Sequence, residues 1–126
     1  MWNSAVIAVL LVAIALPVCA KAAMTECQGA IYVVMNKQGD VQIDRRPVAI
    51  ADVDRELTRL RPAAHFVMYY RENAGVIPSG QASSNIHAVM DAVMKLGLPI
   101  TLSSKPDFSD DIDAQGNSYP RLHCGD

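Results

Sequence analysis

Residues 1–20 contain no Asp, Glu, Lys, Arg or His, and seventeen of them are apolar, Asn3, Ser4 and Pro17 being the exceptions. Such a stretch is either a cleaved secretory signal or an uncleaved single-span anchor helix. Pro17 stops a helix, and small residues follow it. Ala20-Lys21-Ala22 would be cut before Ala23, and Val18-Cys19-Ala20 before Lys21. Neither a signal nor an anchor finds its usual basic flank in Met1-Trp2-Asn3. A lipoprotein site is disfavoured, because Val18 precedes Cys19 where a small residue is expected. Signal or anchor, residues 1–22 are expected to take the rest of the chain out of the cytosol.

Export changes what the cysteines mean. Cys19 belongs to the leading segment, which leaves Cys27 and Cys124 at the two ends of the body. In an oxidising compartment an even pair reads as a disulfide, here tying the start of the domain to its tail. No Cys-x-x-Cys occurs, so redox catalysis and zinc ribbons have no support. Eleven Lys and Arg stand against thirteen Asp and Glu, a formal charge of −2, so the chain carries no electrostatic footprint for nucleic acid. With 126 residues it holds one small domain.

The body alternates between the two periodicities. Ile31, Val33, Val34 and Met35 form an apolar run, Lys37-Gln38-Gly39-Asp40 supplies a turn, and Val41-Gln42-Ile43-Asp44 alternates, predicting a β-hairpin that Arg45-Arg46-Pro47 breaks off. Ile50, Val53, Leu57 and Leu60 fall on one face of a helix ended by Pro62. Its acids come early and its arginines late, the order the helix dipole favours. His65 to Arg71 alternates as a third strand, with Phe66, Met68 and Tyr70 on one face and Val67 and Tyr69 on the other. A Gly/Pro-containing loop follows. Ser83-Ser84-Asn85 offers N-cap residues to a second helix striped by Ile86, Val89, Met90, Val93 and Met94, with Gly97 beyond its end. Residues 98–103 read as a fourth strand, and residues 105–126 as a polar, acidic tail. The expected fold is α+β: a small mixed sheet in β-β-α-β-α-β order, two helices on one face, and a parallel pairing of the last two strands.

Over residues 31–104 these strings resemble the periplasmic domain of the ExbD/TolR family of biopolymer transport proteins. The likeness rests on Asn36-Lys-Gln-Gly-Asp-Val-Gln-Ile-Asp-Arg-Arg-Pro-Val-Ala-Ile, and on Val89-Met-Asp-Ala-Val-Met-Lys-Leu-Gly-Leu-Pro-Ile. The resemblance implies a periplasmic domain, residues 23–104, that engages a TonB/TolA-like or ExbB/TolQ-like partner or peptidoglycan. A homodimer is a further possibility. Family members carry an intramembrane aspartate for proton flow, whereas residues 1–20 contain neither Asp nor Glu, so proton conduction is not carried over. The family's Ala-Asp after the third strand is here Arg71-Glu72, followed by an extra loop. The expected mode is strand addition or self-pairing at an exposed edge. Its expected contact residues are Tyr69, Tyr70, Arg71, Glu72 and Asn73, with the tail acids Asp107, Asp110, Asp111 and Asp113. No catalytic residue or cofactor is expected.

Two other functions stay open on the residues alone. A small secreted hydrolase or metal protein would use His65, His87 and His123 with the tail carboxylates, although no His-x-x-x-His spacing is present. Asp111, Asp113, Gln115 and Gly116 echo a calcium loop, but Leu122 stands where a bidentate Glu is needed. Ser103, Ser104 and Ser109 read as polar loop residues, Met90 and Met94 as core, and Arg45-Arg46 as a hydrated hairpin end or a weak anion site. The third alternative is a stand-alone inhibitor or peptidoglycan-binding module stapled by its disulfide.

Overall fold

The computed structural model describes residues 27–121 and Cys124; the expected leading segment and His123 lie outside these residues. The strands are β1 (Ala30–Met35), β2 (Val41–Ile43), β3 (Arg46–Val48), β4 (Phe66–Arg71), β5 (Ile100–Ser103), β6 (Asp110–Ile112) and β7 (Ser118–Pro120). The helices are α1 (Val53–Leu60) and α2 (Gly80–Lys95). Single 3-10 turns, Ile50–Asp52 and Arg61–Ala63, open and close α1. Among the described residues no helix is long and apolar enough to cross a membrane.

The fold is mixed α+β. Five strands form one sheet in the order β3-β2-β1-β4-β5, and β6 and β7 pair separately. β1 runs parallel to β4, β4 parallel to β5, and the β1–β2 and β2–β3 pairs are antiparallel. Ile31, Val33 and Met35 of β1, Val41 and Ile43 of β2, and Val67 and Tyr69 of β4 point to one face. There they are buried with Val53 and Leu57 of α1 and Ile86, Val89, Ala92 and Val93 of α2. Period 2 in the strands and period 3.6 in the helices thus meet in one apolar layer. Met94 departs from its expected core place: it is exposed, because the buried stripe runs through Val89 and Val93, while Met90 packs at the rim.

Three other expectations are corrected. Arg45-Arg46-Pro47 does not end the hairpin; Asp44 and Arg45, both at positive φ, make a two-residue turn into β3. An Asp-Arg pair lacks the glycine that normally marks such a turn. Pro47 sits on the outermost strand, where its missing N–H costs no ladder bond. The second helix begins at Gly80, one turn before Ser83-Ser84-Asn85, and Asn85 donates its side-chain amide to Gly39 O at 3.1 Å. That contact docks the β1–β2 turn on α2. Gly39 (φ +87°) is required there, since a Cβ would lie 2.7 Å from Ala82 Cα. Finally, the tail is not strandless: it folds back as the β6–β7 hairpin.

Candidate functional site

The second face of the sheet is covered by the tail, and only in part. Phe66 and Met68 of β4 are buried there with Cys27 and Phe108; Ala30, Tyr32, Val34 and Tyr70 pack around them. The Tyr32 and Phe108 rings meet edge to face at 5.1 Å, and the Tyr32 hydroxyl accepts a hydrogen bond from Cys27 N at 2.7 Å. Cys27 is bonded to Cys124, with Cα atoms 5.3 Å apart across 97 positions of sequence. Polar anchors complete the attachment. Asp110, 1% exposed, accepts hydrogen bonds from Ser103 Oγ (2.5 Å), Ser118 Oγ (2.5 Å), Ser104 N (3.0 Å) and Ser104 Oγ. Burial alone would push its pKa up, but these donors outweigh it and hold the carboxyl well below the usual range. The buried Arg121 donates to Phe108 O (3.0 Å) and Asp110 O (2.9 Å) and pairs with Asp111.

This cluster anchors the tail: Asp110 gathers the hydroxyls of Ser103, Ser104 and Ser118, which join the end of β5 to β6 and β7.

Beyond Phe108 the second face stays open. Three adjoining hollows of about 330, 180 and 450 Å³ follow one another along β1. The first is lined by Ala30 and Tyr32, the second by Tyr32 and Val34, the third by Val34 and Asn36. These are the successive residues that β1 turns away from the helices, so the hollows form one trough. Gln42 floors its middle and far end, and Pro106, Asp107 and Phe108 of the tail wall its middle. Asp44 and Arg45 stand at one end, Asp40 at the other.

Of the expected contact residues, Asp107 lies on the trough wall and the others lie outside it. β4 is a central strand between β1 and β5, not an edge. Tyr69 is buried on the helical face, its hydroxyl without a hydrogen-bond partner among the described residues, and burial raises its pKa. Tyr70 is half-buried against the Phe66 cluster. Arg71 donates to Ala74 O at 2.8 Å, Glu72 accepts Lys37 N at 2.9 Å, and Asn73 turns the chain at positive φ. Of the tail acids, Asp110 and Asp111 serve the anchors, and Asp107 accepts Ser109 N. Asp113 closes the β6–β7 turn by accepting Gln115 N and Asn117 N, with Gly116 at positive φ. The calcium-loop echo is therefore a hairpin turn. His65 lies against Gly29 and His87 is exposed on α2. Among the described residues no three His, Cys, Asp or Glu side chains gather as a metal site.

The trough residues Tyr32, Val34 and Gln42 went unmarked in the sequence. Their signal was present in the alternation of β1 and β2, but only the tail's return defines which outward face stays bare. No protein-family model matches the chain, and no curated protein matches it.

Proposed function

We propose that the chain is an exported, non-catalytic binding module of the cell envelope. Like the periplasmic domain of the ExbD/TolR proteins it resembles, it engages a TonB/TolA-like or ExbB/TolQ-like partner or peptidoglycan, and it does not itself conduct protons. The Cys27–Cys124 bond supports an oxidising, periplasmic compartment. The observation that carries the proposal is the inequality of the two sheet edges. β3 is three residues long and blunted by Arg46 and Pro47, the devices that protect an edge from strand addition. β5 has neither charge nor proline, and its Leu102 is 43% exposed. Val67 N donates to Pro99 O, so the parallel ladder turns Thr101 and Ser103 toward β4 and leaves the main-chain groups of Ile100 and Leu102 facing outward. An incoming strand would pair there.

The test is to titrate the full chain with purified periplasmic domains of TonB-like and TolA-like proteins, and with isolated peptidoglycan, following amide exchange. Binding by strand addition slows exchange at Ile100 and Leu102 and is abolished by Leu102→Pro, with Leu102→Lys as the less disruptive variant. Unchanged β5 amides with every probe would overturn it.

A further inference from the structure

The trough along β1 and the charges around it point to the chemistry of what it holds. Ala30, Tyr32, Val34 and Asn36 line it in sequence. At about 3.3 Å per residue, Ala30 to Asn36 spans about 20 Å, the length of about six extended residues. The floor is mixed: the Tyr32 ring and the Val34 side chain offer apolar contact, and the exposed Gln42 amide can donate and accept. An open trough of this length suits an extended chain better than a compact small molecule, which a closed pocket would surround.

Charge selects among extended chains. The residues lining the three hollows include Asp40, Asp44 and Asp107 against Arg45 alone. Each of these carboxylates accepts a hydrogen bond, from Asn36 Nδ2, Tyr32 N and Ser109 N respectively, which fixes it in place while it stays at the rim. The opposite side of β3 differs: there a hollow is lined by Arg46, Arg55 and Arg59 against Asp52 and Glu56. There Arg55 pairs with Asp52 and Arg59 with Glu56, so the acids are matched by arginines, whereas around the trough carboxylates outnumber Arg45 three to one.

We infer that the trough binds an extended segment of a protein partner bearing Lys or Arg side chains. The segment lies along β1, with its cationic groups reaching Asp40 at one end, Asp107 at the middle and Asp44 at the other end. This rests on the proposed role as a protein-binding module and adds a second contact to it. The β5 edge supplies main-chain pairing, and the trough reads charge.

The experiment uses the full-length chain and two synthetic probes, acetyl-(Lys-Thr)4-amide and acetyl-(Glu-Thr)4-amide, followed by amide chemical shifts. The lysine peptide is expected to shift Tyr32, Val34, Asn36 and Gln42, with affinity falling as salt rises. The glutamate peptide is expected to leave them unmoved. Asn at Asp40, Asp44 and Asp107 keeps each acceptor oxygen and removes the charge. The triple variant Asp40→Asn, Asp44→Asn, Asp107→Asn should weaken the lysine peptide by roughly tenfold or more. Equal binding of both peptides, no binding of either, or trough shifts caused by soluble peptidoglycan fragments that survive the triple variant would each overturn the inference. Shifts at Ile100 and Leu102 alone would overturn it too, while leaving strand addition at β5 standing.

Discussion

The two faces of the sheet are closed by different means. On one, α1 and α2 lay an apolar stripe over β1, β2 and β4, a packed layer pinned at its edge by the Asn85 bond to Gly39 O. On the other, a tail with few apolar residues is fastened by a disulfide at one end and by a buried carboxylate and arginine along its length. Packing must cover a face continuously to be effective. Point anchors need not, and this is why the tail side leaves a trough open beside Phe108 while the helical side buries the centres of β1, β2 and β4.

The largest expected effect separates these means. In the chain-entropy view, a bond closing a loop of 97 positions contributes about 4.7 kcal/mol. Replacing it by Cys27→Ala with Cys124→Ser should lower unfolding free energy in urea by that amount, without changing the α-helical circular dichroism of the folded protein. A drop below about 1 kcal/mol would show that the polar anchors suffice alone.

Next comes Asp110→Ala. Four donors lose their acceptor together, and the expected loss is about 3 kcal/mol, read by the same denaturation. The pH dependence follows from the direction of the shift. A carboxyl with a lower pKa in the folded than in the unfolded chain adds stability that is fully present above the ordinary carboxylate range. That stability is lost as the pH falls from about 4 toward the depressed folded value. Asp107 and Asp113 shift in the same direction, through hydrogen bonds from Ser109 and Asn117 respectively. Wild-type stability should therefore decline below about pH 4, and more shallowly in Asp110→Asn.

On the helical side, Gly39→Ala places a Cβ against Ala82 at a positive φ and should cost about 1–2 kcal/mol. The smallest effect has the opposite sign. Tyr69→Phe removes a buried hydroxyl with no described partner, and thermal unfolding should be unchanged or shifted upward, by up to about 1 kcal/mol. A clear loss would reveal a partner for that hydroxyl.

These differences also explain what could be read in advance. The helical face was legible because Val53, Leu57, Val89 and Val93 recur at helical spacing, and Val41 and Ile43 alternate. The tail face was not. Asp110 and Arg121 look like solvated charges in sequence, and only folding brings Ser103-Ser104 and Ser118, from two segments, onto one carboxylate. The position of the edge was hidden for a related reason: β1 pairs with β4 in parallel, which puts β4 in the interior of the sheet and leaves β5 as an edge strand. Strand order depends on long-range pairing that local alternation does not encode.

Native-state hydrogen exchange on Asp110→Ala with its disulfide intact tests most directly whether the two faces are held separately. Ser104 N donates to Asp110, and Arg121 N donates to Ser109 O. Separate closure predicts that both amides lose protection while Val89 and Val93 in α2 exchange as in the wild type. Loss of protection at all four together would contradict it, showing that the sheet opens as one unit.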